Sequence, residues 1–538
     1  MRQRAIADVS TAVGLHRGAS EDDAAAVPTL TIVSHPRADR VGDRLHLPNG
    51  AAIAVSRNEP DFVRPGNTFG APLGDPFVSR RPIHFGAIAG GGVRLVVADG
   101  GTPVTAGAPV RGAVELDASD LANGVALELA GRVTLLLHRS PVAEAADDAF
   151  GMVGYGDGIA RVRRSIARVV DLAVPVLVRG ETGTGKELVA RAIHERSARR
   201  TGPFVSVNLG AIPKELAAAE LFGATKGAYT GAVRDRDGFF RAARGGTLFL
   251  DEVGEAPAEV QAMLLRVLET GEMYAVGGPS KVATDVRLIA ATDADLDAHI
   301  RDGRFKAPLL HRLAGYQVRL PPLRERRDDI GVLFHHFARE ELAAIGETAR
   351  LAPVDPYADP WLPASLAAML VRAGWPGNIR QLRNVARQVV IACRGKPQIR
   401  IDPQLAEELA IGRPIDARAV PRAADAPATP RKRPADVSDT ELLEALRDHA
   451  WDLQAAADQL GIPRSSMYRR IERSPGIRTA GDLTADEIVR CFRECGGDLG
   501  VMGGRLSVSA RALKRRVREL GLVPSPTAGR APPVTKDD

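Results

Sequence analysis

Gly180-Glu-Thr-Gly-Thr-Gly-Lys-Glu187 contains the residue types that hold phosphate. Glycines let backbone N–H groups turn inward around phosphate oxygens, a helix N-terminus adds positive potential, and a lysine neutralises charge. Gly180, Gly183 and Gly185 supply the backbone freedom and Lys186 the cation, with Glu181, Thr182 and Thr184 between them. Glu187 stands where phosphate loops usually carry Ser or Thr. Val176-Leu-Val178 reads as a strand before the loop and Leu188–Ile193 as a helix after it. A second apolar run, Thr247-Leu-Phe-Leu250, ends in Asp251-Glu252. An aspartate at such a strand end holds Mg2+ through water, and a glutamate beside it orients the attacking water. The two segments together predict a nucleoside triphosphatase that uses ATP and Mg2+.

The elements that position these residues belong to a chain of 538 residues, long enough for two to four domains. Hydrophobic residues at 45% and charged residues at 26% fit a soluble protein. No run of about 18 apolar residues predicts a membrane span, and the N-terminus has no apolar signal core. Three cysteines, Cys393, Cys491 and Cys495, do not form a disulfide framework, so a cytoplasmic location is expected. Cys491 and Cys495 are one helical turn apart without a histidine nearby, which predicts packing and no metal. The net charge of +6 permits a nucleic-acid partner without requiring one.

The predicted fold class is multidomain. Residues 1–27 read as a loose segment. Residues 28–138 carry short apolar runs (Leu30–Val33, Ile53–Val55, Val93–Val97, Val133–Leu137) between Gly, Pro, Asp and Asn, which reads as an all-β sandwich. Residues 139–150 read as a junction. Strand-like and helix-like segments alternate from about 150 to 397, the pattern of an α/β domain with a parallel sheet. Prolines and arginines mark a linker over 413–437. An all-α region follows over 438–523, then a tail, 524–538. Within it Glu441, Asp452, Leu460 and Arg469 recur as Glu487, Asp498, Leu506 and Arg515, each 46 residues later. A constant offset predicts two copies of one helical unit, 438–478 and 480–523.

Residues 150–397 resemble the AAA+ P-loop domain, with its helical lid, of the bacterial enhancer-binding proteins, the sigma-54-dependent transcription activators. The strings that carry the resemblance are Gly180–Glu187, Glu220-Leu-Phe-Gly223, Lys226–Ala232, Gly245–Glu252, Leu320–Arg326 and Trp375–Arg380. The family has Glu after the loop lysine, as here. The resemblance implies that Asn208 pairs with Glu252 as a γ-phosphate switch, that Arg380 is the lid's sensor, and that Arg312 and Lys306 reach a neighbouring subunit's nucleotide. It implies a homo-oligomeric ring, typically hexameric. Gly227, Ala228, Tyr229, Thr230, Gly231 and Ala232 match the loop that contacts sigma-54 in the RNA polymerase holoenzyme, with Tyr229 in place of Phe. Two positions depart from the family. Lys306 replaces an arginine and loses its bidentate fork. Asp293 replaces an asparagine and places a carboxylate where the γ-phosphate is sensed.

The segment from Leu453 to Arg470 reads as helix, Gly461 turn, helix, and resembles the Fis-type DNA-binding end of the same family. It implies enhancer DNA contacts from Arg464, Ser465, Ser466, Tyr468, Arg469 and Arg470, and, in the second copy, from Arg511, Lys514 and Arg515. Residues 28–138 resemble a forkhead-associated (FHA) domain, which implies a phosphothreonine protein or peptide partner held by Arg57, Ser79 and Arg80. The function expected is that of a sigma-54-dependent activator driven by an ATPase ring. A DNA-binding regulator with an impaired ATPase, or an AAA+ remodeller outside transcription, remain as alternatives.

Overall fold

The computed structural model describes residues 26–47, 52–142, 148–228, 234–351, 355–400, 402–410, 438–448 and parts of 451–522. The chain divides into two compact units, Met1–Ala423 and Ala424–Asp538.

The first unit opens with two antiparallel sheets, of eight and four strands. The long strands β1 (Ala26–Ser34) and β2 (Val133–Pro141) pair at the centre of the larger sheet. Alternation sets the faces: Val93 and Leu95 are buried while Arg94 between them is exposed. Leu30, Ile32, Phe62, Phe85, Leu95, Leu135 and Leu137 fill the space between the sheets. Val33 and Leu136, one residue out of phase with Ile32 and Leu135, point to the other face, where they join a different core. That explains why Val133–Leu137 is apolar on both faces. The strands extend beyond the sequence-based limits at both ends, so the junction expected from residue 139 begins inside β2.

Five parallel strands make the next layer, β3 (Val176–Arg179), β4 (Phe204–Asn208), β5 (Thr247–Asp251), β6 (Arg287–Thr292) and β7 (Tyr316–Arg319), in the order β4-β5-β6-β3-β7. Helix α1 (Lys186–Arg196) leaves the end of β3 through the glycine-rich loop. The lid that follows consists of α2 (Arg327–Ala344), α3 (Ala364–Arg372) and α4 (Asn378–Ala392) around Phe334, Leu366, Trp375, Leu382 and Val389. Val33, Ala126 and Leu136 of the sandwich belong to this same core. Thr134 donates to the Ala364 carbonyl at 3.1 Å, and Arg132 donates to the carbonyls of Pro356 and Ala358, each at 2.8 Å. The sandwich is therefore docked on the lid through both apolar and polar contacts.

In the second unit the described helices are Asp439–Asp448, Ala485–Glu494 and Leu499–Leu506. Two begin with reciprocal caps. Ser438 and Glu441 exchange bonds at 2.9 and 3.2 Å, and Thr484 and Glu487 at 2.8 and 3.3 Å. The two caps lie 46 residues apart (Ser438 to Thr484, Glu441 to Glu487). Buried Leu442, Ala445 and Ala456 recur at the same offset as Ile488, Cys491 and Met502. Cys491 packs in that core 3.7 Å from the Cys495 sulfur. Among the described residues no group of histidines, cysteines and carboxylates could hold a metal ion, and no helix is long and apolar enough to cross a membrane.

Burial lowers the pKa of several histidines, and among the described residues His138 and His335 shift furthest. His138 of β2 bonds the Thr31 hydroxyl at 2.8 Å. His335 of α2 has no partner for either ring nitrogen among the described residues. Burial pushes both imidazoles down to about 4. The unfolded chain, with histidine pKa about 6.5, takes up protons that the folded chain refuses. Stability is therefore complete above about pH 6.5 and declines as pH falls toward 4, by about 3 kcal/mol per histidine. Denaturant midpoints should fall between pH 6.5 and 5, with a shallower slope in His335→Leu. An unchanged slope would contradict neutral burial of His335.

Candidate nucleotide site

The loop 180–187 is already folded for an anion. Gly183 has φ +80°, and a Cβ there would lie 2.4 Å from the Gly377 carbonyl oxygen of the lid, so only glycine fits. Lys186 is 8% exposed and begins α1. Its Nζ donates to the Gly180 carbonyl at 2.9 Å and lies 3.4 Å from that of Glu181. The Thr184 hydroxyl donates to the Glu181 carbonyl at 2.7 Å. These bonds close the loop on itself and hold the ammonium against the loop's own carbonyls.

Parallel pairing sets Asn208 of β4 opposite Asp251 of β5. Asp251 accepts the Glu252 N–H at 3.0 Å. Glu252 adopts left-handed φ 57°, ψ 43°, an unusual conformation for a non-glycine residue and one that marks functional sites. This turns its carboxylate toward the segment after Asn208: a Cβ on Gly210 would lie 2.2 Å from Glu252 Oε2 and 3.3 Å from Asn208 Oδ1. Asn208 itself caps the following turn, accepting the Ala211 N–H at 3.2 Å. Asn208 and Glu252 are thus neighbours, with no hydrogen bond between them among the described residues.

Asp293 follows β6 and meets the loop directly, accepting a hydrogen bond from the Thr182 hydroxyl. Arg380 donates its backbone N–H to the Gly183 carbonyl at 3.3 Å, and its exposed guanidinium has no partner among the described residues. Lys306 and Arg312 make no hydrogen bond to the loop among the described residues. Lys306 caps the helix Ala307–Leu313 with its side chain exposed, and Arg312 is 3.6 Å from Glu269.

Two residues not singled out from the sequence also reach the loop. Arg324 donates to both oxygens of Glu181, at 2.8 and 2.6 Å, and holds that carboxyl below the usual carboxylate range. Asn378, fully buried with φ 51°, donates to Glu181 and to the Thr182 carbonyl, both at 3.1 Å, and accepts the Leu323 N–H at 2.8 Å. Both stand inside the quoted strings Leu320–Arg326 and Trp375–Arg380, the one signal that could have found them.

Gly227 and Ala228 are described, at the base of the loop 227–232. The base is closed by the Ala224–Arg236 bridge and by Asp235, which accepts the Lys226 N–H at 2.8 Å. Tyr229, Thr230, Gly231 and Ala232 lie outside the described residues, as do Arg464, Ser465, Ser466, Tyr468, Arg469, Arg470, Arg511, Lys514 and Arg515. In the sandwich, Arg57 and Ser79 meet: the Arg57 N–H donates to the Ser79 carbonyl at 3.1 Å. The Arg57 side chain donates to the carbonyls of Val78 and Pro76 and so braces the loop. The Ser79 N–H donates to the Thr102 hydroxyl at 2.8 Å, and Arg80 is exposed.

Residues 152–319 match the sigma-54 interaction domain, 324–417 the AAA+ ATPase lid domain, and 434–473 the Fis family of bacterial regulatory proteins. The chain is 37% identical to the response regulator protein PilR of Pseudomonas aeruginosa, covering 63% of this chain and 73% of that one. It belongs to the sigma-54-dependent enhancer-binding proteins. It is 39% identical to the DNA-binding transcriptional regulator NtrC of Azospirillum brasilense, covering 62% of this chain and 63% of the relative. For NtrC of Escherichia coli the identity is 45%, covering 46% of this chain and 50% of the relative. The chain thus spans half to two thirds of these two regulators. As a family member it has a P-loop AAA+ domain, a lid and a Fis-type helix-turn-helix. Its β-rich N-terminal region is covered by none of the three family matches.

Asn378 serves three backbone or carboxylate partners at once in a position without solvent. Asn378→Ala should lower folding stability by about 2–4 kcal/mol, because buried polar groups lose partners and alanine is strained at positive φ. Chemical denaturation reads this; a loss below 1 kcal/mol would show that the lid tolerates the open bonds.

Proposed function

We propose that this enhancer-binding protein activates sigma-54-dependent transcription by ATP hydrolysis in a ring, under control of its N-terminal sandwich. The observation that carries the reading is that the loop bearing Lys186 and the Asp251–Glu252 pair both follow strands of one parallel sheet, with lid residue Arg380 bonded to that loop. The site's donors fit ATP with Mg2+: a preformed amide cradle and a buried ammonium for phosphate, and a carboxylate at a strand end for a hydrated cation. ATP supplies a phosphoryl group whose transfer to water releases the free energy the ring uses.

The chain's own residues have separable tasks. The loop amides and Lys186 bind and neutralise phosphate oxygens. Asp251 holds the cation through water, and Glu252 orients the attacking water. Arg380 brings lid charge to the same phosphates. Arg312 and Lys306, exposed and remote from their own loop's hydrogen bonds, serve a neighbouring copy, which makes hydrolysis depend on assembly, typically of six subunits. The Thr182 hydroxyl on Asp293 supports activity against the impaired-ATPase alternative, because it directs that carboxylate to a donor on the loop.

Loop 227–232 contacts sigma-54 in the polymerase holoenzyme, and Asn208 with Glu252 couples its position to the nucleotide. Residues 464–470, with 511–515 as a second set, bind enhancer DNA. The sandwich reads a phosphothreonine protein, with Arg80 and Ser79 at the phosphate and Arg57 bracing the loop that carries them.

Glu252→Gln should reduce ATP turnover by about 100-fold or more while leaving ATP affinity within a few-fold, since it removes a group that acts on water. Loss of binding instead would assign Glu252 to ground-state contacts. Thr230→Ala should hydrolyse ATP normally and fail to open sigma-54 promoters; normal transcription from it would refute the loop assignment.

A further inference from the structure

The short segment 323–331 has two sets of partners. Toward the nucleotide loop, Arg324 grips Glu181 through two hydrogen bonds, and Asn378, which holds the Leu323 N–H, reaches Glu181 and Thr182. Toward the sandwich, Arg327 donates to the Asn123 carbonyl at 2.7 Å, and Asp328 accepts from Arg44 at 2.7 Å. The Arg44–Asp328 side chains are only 7% and 12% exposed. Three residues on, Gly331 lies so close to β1 that a Cβ would be 2.2 Å from the Val33 carbonyl oxygen. Next in the chain, Asp329 is fully buried, its carboxylate accepting from Arg326, Tyr155 and Gly156.

We propose that Arg324 is a positioning residue for the phosphate loop, and that docking of the sandwich through Arg44–Asp328 sets its position. Three residues separate the two contacts, and the helix that begins there is anchored by a buried carboxylate. A shift of the sandwich on α2 cannot be absorbed between them and reaches Glu181. Arg324 does not touch the phosphates. It fixes the second residue of the loop, and with it the direction of the amides that follow. The sandwich is in this way a permissive part of the nucleotide site, and a ligand that tilts it would change ATP affinity without entering the site. The proposal rests on the reading of loop 180–187 as an ATP site.

The test uses the full chain and two readouts: the MgATP dissociation constant, and hydrogen exchange of the 181–185 amides without nucleotide. Arg324→Ala should weaken MgATP binding about tenfold and Arg44→Ala about fivefold, with faster exchange in both. The double variant should be no weaker than Arg324→Ala alone, because both changes release one clasp. The charge swap of Arg44→Asp with Asp328→Arg should restore affinity to within about twofold. If Arg44→Ala does not fold, Asp328→Ala, which removes the same ion pair from its other side, takes its place in the cycle. Unchanged exchange and affinity in the sandwich variant, or losses that multiply in the double variant, would overturn the proposal. Coupled exchange in a chain that binds no ATP would retain the linkage and reject the ATP reading instead.

Discussion

The first unit depends on the burial of one carboxylate. Asp329 accepts the N–H groups of Tyr155 and Gly156 at 2.6 and 2.8 Å and the Arg326 guanidinium at 3.0 and 2.9 Å, with no exposure. A charge removed from water to this extent is tolerated only when its lone pairs are filled by strong donors. Those donors come from the segment that leads into the α/β layer and from the turn before α2. The bond set therefore fixes where the lid begins relative to the sheet. Everything that closes over the phosphate loop, from Arg324 to Arg380, is built outward from that point.

The phosphate loop, the acidic strand end and the alternating strands were legible because each is a local pattern. Glycine at set spacing, an apolar run ending in Asp-Glu, and period-two burial can each be read from a few neighbouring residues. The caps Ser438–Glu441 and Thr484–Glu487 are short motifs of the same local kind, at a constant offset. The docking of sandwich on lid left no such trace. Arg44 reads as a polar residue on a strand, and Asp328-Asp329 as ordinary acids in a helix's first turn, where they favour the dipole anyway. Their partners lie far away in sequence, and some are backbone carbonyls such as that of Asn123, which no side-chain pattern marks. The apolar phase of Val133–Leu137 did carry a hint, since a strand apolar on both faces needs a cover on each.

Asp293 shows how a departure from a family pattern can be accommodated locally. A carboxylate near bound phosphate is unfavourable by charge alone. The Thr182 hydroxyl gives it a donor on the loop itself, so the change at one position is answered by a residue already present for the loop's own chemistry. Lys306 has no comparable answer within one chain, because its side chain faces outward.

The shared core of sandwich and lid also bears on how such proteins diversify. An input module joined by a tether can be exchanged by recombination at the tether. Here Val33, Ala126 and Leu136 complete the packing around lid residues, and Gly331 is shaped to the backbone of β1. A foreign module spliced in after residue 142 would leave an uncovered apolar face on the lid and an unanswered Asp328. Modular inheritance would then require the lid surface to travel with its N-terminal sandwich, so that the unit of exchange runs through the α/β layer and not at its edge.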